Sequence, residues 1–192
     1  WLQLTSHSEL LWQHTQITLI EIGLGLLLGF IFGLSSALLL SFSPKTSSLL
    51  LPILVISQAI PVFAIAPILV LWLGYGMPSK ILMAILIIYF PVTAACYDGL
   101  RNTPQAWLDL AKTLKPSPLR LLLKVRLPAA LPAFASGFRI AVSVAPIGAV
   151  IGEWVGSSEG LGYLMIHANA RMQVDLMFAA LLILVAISLC LY

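Results

Sequence analysis

DGLRNTPQAWLDLAKTLKPSPLRLLLKVRLP, residues 98–128, is the one long polar interruption in an otherwise apolar chain, and it carries six of the ten basic residues. A turn between neighbouring helices needs only a handful of residues, so this stretch is long enough to form elements of its own. Its punctuation predicts two short helices. Thr103 stands where an N-cap belongs and Pro104 at the first helical position, where a missing N–H costs nothing; Trp107, Leu110, Ala111 and Leu114 then share one face. Pro116 ends this helix. Ser117 and Pro118 repeat the device, Leu119, Leu122, Leu123 and Leu127 line a second helix, and Pro128 closes it. The expected unit is helix, tight corner, helix, basic outside and apolar beneath.

Around this stretch the composition sets the class. Of 192 residues 60% are hydrophobic and 9% charged, and the mean hydropathy is +1.05, a surface that only a bilayer tolerates. The net charge of +3 sits mostly in one loop beside apolar runs, which reads as positive-inside topology and speaks against nucleic-acid binding. Five apolar runs, residues 15–42, 48–73, 80–93, 129–152 and 176–192, are expected to cross the membrane. With the basic loop inside, residues 1–14 lie outside, the Lys45 link inside, the turn at 74–80 outside, the loop 153–175 outside and the C-terminal end inside. An external start without a signal peptide needs a helix before it, so a first span is expected to be missing and the full chain to have about six.

Individual runs carry further signals. Gly25, Gly29 and Gly33 recur every fourth residue, a ridge on which another helix backbone can approach closely. Glu21, two turns inside the first run, either snorkels to the interface or serves a pathway. Pro52, Pro61 and Pro67 interrupt the second run, with Gln58 just before Pro61; the run is either kinked or broken to line a cavity. Pro91 is expected to kink the third run. Arg139 in the fourth either reaches back to the basic side or pairs within the bundle. The polar, glycine-rich residues 153–163 invite a phosphate-loop reading, but GxxxxGK[ST] is absent throughout. Cys96 and Cys190 lie in apolar runs, and His7, His14 and His167 have no metal-ligand spacing, so neither metal chemistry nor hydrolytic catalysis has a foundation.

Asp109-Leu110-Ala111, three residues, Lys115, nine residues, Val125-Arg126-Leu127-Pro128 resembles the coupling loop of binding-protein-dependent ABC importer permeases, whose pattern is E-A-A, three residues, G, nine residues, I-x-L-P. Asp109 replaces the family's glutamate and Lys115 its glycine. Because lysine takes a left-handed backbone less cheaply than glycine, either the corner is shaped differently, with Pro116 and Pro118 supplying the break, or the glycine's role has moved. Gln58-Ala59-Ile60-Pro61, residues 66–76, Phe90-Pro91, Asp98-Gly99-Leu100, Gly152-Glu153 and Gly160-Leu161-Gly162-Tyr163 resemble permeases of the nitrate, sulfonate, taurine and thiamine-precursor group. Residues 145–154 and 167–173 are most similar to the hydroxymethylpyrimidine permeases within it.

The resemblance implies an all-α, multi-pass type I permease domain over residues 15–192 in a bacterial inner membrane, with its coupling loop at 98–128. It implies two permease copies, a soluble solute-binding protein and a separate ATP-binding subunit that holds ATP and magnesium, with no cofactor in this chain. Asp109, Ala111, Leu114, Lys115, Leu127 and Pro128 would make the coupling surface. From the residues themselves, Gln58, Glu153 and Trp154 are candidates for the solute path, the first two as hydrogen-bonding groups and the third as a ring that stacks on a heterocycle. For Gln58 and Glu153 helix-to-helix hydrogen bonding is the alternative, and for Trp154 the interfacial aromatic belt. The expected cargo is a thiamine precursor, with a sulfonate, taurine or nitrate-like anion as alternative. A secondary transporter relaying protons through Glu21 and Glu153, or a membrane scaffold, would leave the basic two-helix loop unexplained.

Overall fold

The computed structural model describes residues 7–192, and all regular structure among them is helical. Residues 1–6 of the expected external segment lie outside the described residues. The rest of that segment is not separate: helix α1 spans Ser8–Phe42, 35 residues, so residues 8–14 are its first turns.

The glycine ridge of α1 packs on α4, Met77–Arg101. A Cβ at Gly25 would lie 2.6 Å from Cβ of Ala84, at Gly29 2.7 Å from Cγ2 of Ile88, and at Gly33 2.8 Å from Cγ1 of Val92. Both numbers rise together along the contact, so the two helices run parallel. The long helix α7, Leu127–Gly156, lies on α4 in the opposite sense, with Gly137 against Ala95, Gly148 against Ala84 and Gly152 against Lys80. The three helices share a core of Ile22, Ala84, Ile88, Val92, Ala141 and Ala145.

The parallel register decides the topology. Phe42 and Arg101 end at the same level, so residues 43–76 must bring the chain back across. They do so as two helices, α2 (Pro44–Ser57) and α3 (Val62–Leu73), which meet at 94°. Counting this pair as one crossing gives five. The break falls at Pro61, whose extended backbone (φ −61°, ψ 122°) starts α3. Pro52, Pro67 and Pro91 lie inside continuing helices and end none of them.

The basic stretch departs from expectation in three ways. Its first helix, α5, is Gln105–Thr113, but Thr103 does not cap it; the Thr103 hydroxyl donates back to the Leu100 carbonyl (3.1 Å) and serves the end of α4 instead. Ser117 does cap the next helix, α6 (Pro118–Leu121), accepting from the Arg120 N–H. Pro128 does not close it. A π turn over Leu122–Arg126 follows, the Leu127 N–H reaches the Leu122 carbonyl, and the helix continues into α7. The wider turn makes room for a proline ring that would collide with a carbonyl in a regular α-helix. Lys115 itself takes the left-handed backbone, φ +46°, despite carrying a side chain. That backbone costs a non-glycine residue about 1–2 kcal/mol.

Beyond α7 the expected loop 153–175 contains a helix, α8 (Leu161–Ala170), and α9 spans Val174–Leu191. Arg139 neither reaches a carboxylate nor enters the core: it is exposed, its guanidinium 6.0 Å from the ring centroid of Tyr192.

The ridge gives a matched pair of substitutions. Gly29→Ala should lower the melting temperature of the detergent-purified protein, since its Cβ meets the stiff Cβ of Ile88 at 2.9 Å and overpacking costs about 1–3 kcal/mol. Gly23→Ala, where nothing lies within 4 Å, should be neutral or raise it. Equal melting temperatures for the two variants would show that the close approach carries no energy.

Candidate functional site

Two groups of side chains stand out, one at each end of the helix slab. The first is α5. Trp107 is 54% exposed, Leu110 70% and Leu114 81%, an apolar face at 3- to 4-residue spacing on a helix outside the membrane-crossing segments. Ala111, expected on that face, is 8% exposed and turned into the chain. The apolar residues therefore divide: one seats α5, three face outward. Asp109 is exposed and accepts hydrogen bonds from Nζ of Lys112 (2.8 Å) and Nε2 of Gln105 (3.0 Å). The Lys112 hydrogen bond holds its carboxyl below the usual carboxylate range. Lys115 turns the chain beside it. Leu127 packs against the core, and Pro128 is exposed within the continuing helix.

The second group lies at the opposite end and is buried. Glu21 of α1 is 0% exposed and pairs with Nζ of Lys80 on α4 at 2.5 Å, so it does not snorkel. A charge this deep stands only if it is matched. Lys80 also donates to Oγ of Ser157 at 3.0 Å. Glu153, 1% exposed, has both oxygens engaged, by the Thr18 hydroxyl (2.5 Å) and the Gly162 N–H (2.5 Å). The same hydroxyl accepts from the Leu161 N–H at 2.9 Å, and Nδ1 of His14 accepts from the Gly160 N–H at 2.9 Å. Glu153 thus occupies the N-terminus of α8, where exposed N–H groups and the helix dipole favour an anion. Gly160 takes φ +113°, a conformation open to glycine, and brings the chain over the carboxylate.

The three path candidates are not presented alike. Gln58 at the α2–α3 break and Trp154 on α7 are exposed, whereas Glu153 is withdrawn and ties α1, α7 and α8 together. Sequence reading missed Lys80, Thr18, His14 and Ser157 as members of this group. For Lys80 a signal existed: a lysine inside an apolar run, on a chain with a glutamate inside another, asks for a partner.

The family described as "Binding-protein-dependent transport system inner membrane component" matches residues 25–192. The chain is 87% identical to a "Probable ABC transporter permease protein" of Haemophilus influenzae over 99% of its own length and 78% of that protein's. It is 39% identical to the "Formylaminopyrimidine transport permease protein ThiX" of Halalkalibacterium halodurans, over 92% of this chain and 70% of ThiX. Its fold matches a chain of the inward-facing MetNI methionine ABC transporter with TM-score 0.84 at 20% identity, covering 97% of this chain and 93% of that one.

The buried pair predicts a non-additive response. Lys80→Met alone leaves Glu21 unmatched and should cost about 3–5 kcal/mol, read as a large drop in melting temperature. Lys80→Met combined with Glu21→Met should recover most of the loss. Additive losses in that double-mutant cycle would mean that the two side chains do not act as a pair.

Proposed function

The chain belongs to the family of binding-protein-dependent transport system inner membrane components, and on that premise we propose that its cargo is a small pyrimidine of the thiamine-precursor type, hydroxymethylpyrimidine. The chain is the permease subunit of an ABC importer, a multi-pass protein of the inner membrane, and ATP is hydrolysed on a separate subunit in such systems. Readings as a secondary transporter or scaffold are therefore set aside.

The observation that carries the cargo is the 39% identity to a pyrimidine permease across 92% of the chain. Gln58 and Trp154 supply what a polar heterocycle needs: an amide that both donates and accepts at an exposed helix break, and an exposed indole on which a ring can stack. Glu153 acts as a positioning residue, holding the loop that leads into α8.

The rest of the assembly follows from the same reading. The outward face of Trp107, Leu110 and Leu114 docks in a groove of the ATP-binding subunit, which carries ATP and magnesium; Asp109 and Lys115 lie at its edge, and Ala111 seats the helix from behind. A soluble binding protein delivers the solute. A second copy of this chain completes the passage, since five kinked crossings need a facing wall to enclose one.

Docking is tested by Leu110→Glu, which places a charge at the centre of the apolar face without touching the buried side of α5. Membrane insertion should be unchanged while association with the ATP-binding subunit weakens by at least about thirtyfold, as for loss of a central contact worth 2 kcal/mol or more. Survival of the complex at parental affinity would exclude this face as the interface.

Cargo is tested by uptake into vesicles holding the complete importer and its binding protein. Labelled hydroxymethylpyrimidine should enter with ATP, and taurine and nitrate should not. Trp154→Leu should weaken uptake about tenfold, within the 1–3 kcal/mol typical of base–aromatic stacking. Uptake of taurine or nitrate in place of the pyrimidine would transfer the chain to the anion carriers of its group.

A further inference from the structure

At the end of the slab that carries the basic loop lies a cavity of about 450 Å³, walled by the last turn of α1, the first turn of α2, the last turns of α4 and the π turn. Arg101 and Arg126 both line it, together with Ser41, Ser47, Ser48 and Tyr97, and no carboxylate does. Nε of Arg126 is buried and has no hydrogen-bond partner among the described residues. Ser41, Ser47 and Ser48 line the same cavity, and none of them is the acceptor for this Nε. Two cations and no counter-anion make a concavity with an unmet demand for negative charge.

We propose that this cavity binds a phosphate group on Arg101 and Arg126. Guanidinium forks match phosphate oxygens bidentately, and a buried Nε–H without an acceptor is the kind of group such a ligand satisfies. The position names the source. The cavity opens where the crossing helices give way to the basic loop, and three leucines complete its lining, so an anionic phospholipid can place its headgroup on the arginines and its chains along the bundle. Basic pockets between helices at this level are where lipid headgroups bind.

The test uses the full-length permease in nanodiscs of phosphatidylcholine alone, of phosphatidylcholine with phosphatidylglycerol, and of phosphatidylcholine with inorganic phosphate in the buffer. Phosphatidylglycerol should raise the melting temperature by several degrees, and Arg101→Gln with Arg126→Gln should abolish that rise while leaving melting in phosphatidylcholine unchanged. A rise with inorganic phosphate that the same variant abolishes would keep the site and assign it to free phosphate. No rise with either probe, or an equal rise in the variant, overturns the proposal. Native mass spectrometry of the wild-type protein removes dependence on the variant's folding: one phosphatidylglycerol should stay bound per permease copy, and retention of none would also overturn it.

Discussion

Within a bilayer, apolar side chains gain nothing by leaving lipid for one another, so helices associate through close backbone approach and through polar groups with no other partner. Both devices converge on α4. Glycines of α1 and α7 bring their backbones onto Ala84, Ile88, Val92 and Ala95, and Lys80 near its start meets a carboxylate of α1 and a serine beyond α7. Because α1 lies parallel and α7 antiparallel on this helix, its direction fixes which ends of the chain come together. The double helix α2–α3 crosses as one unit because the register of Gly25, Gly29 and Gly33 leaves it no alternative.

The two ends of the slab solve opposite problems. At the end of Glu21, Lys80 and Glu153, charges are buried and satisfied internally, and the hydrogen bonds of Glu153, Thr18 and His14 draw the glycine-rich loop over them. Nothing there requires a further partner to account for the charges, apart from Oε2 of Glu21, which has no hydrogen bond among the described residues. At the basic end the balance is reversed: three large apolar side chains of α5 face outward and Nε of Arg126 lacks an acceptor. Unsatisfied apolar and cationic surface in the same region is what a chain that works within an assembly presents.

Much of this was legible in the sequence because it rests on local chemistry. The apolar runs, the glycine ridge, the break at Pro61 and the spacing from Asp109 to Pro128 are all patterns within one segment. What escaped was long-range. Glu153 stood open between a path role and helix-to-helix hydrogen bonding because its partners, Thr18 and the Gly162 N–H, are supplied by a distant helix and by a loop geometry that only the fold creates. Lys80 was not singled out because its partner, Glu21, is far from it in sequence. Helix α8 was hidden within a segment whose glycines and polar residues read as loop. The π turn was hidden for a different reason: a proline normally signals a stop, and whether a helix ends there or widens depends on the packing of Leu127 into the core.

That turn has a consequence for how the ends are related. Residues Pro118–Gly156 form a continuous helical rod of 39 residues, about 58 Å at 1.5 Å per residue. It begins at the corner made by Lys115 and Ser117, beside α5, and it ends three residues past Glu153. The corner at Lys115 and the buried ion cluster are thus the two ends of one helix. The ladder widens to a π turn at Leu122–Arg126, which is also where Arg126 lines the cavity at the basic end, and Pro132 and Pro146 each remove one of its bonds further along. A regular α-helix resists bending because every carbonyl is committed to the N–H four residues on; a π turn and a following proline relax that commitment locally. The commitment is therefore relaxed both at the π turn beside the two arginines and, at Pro132 and Pro146, within the membrane-crossing part of the rod.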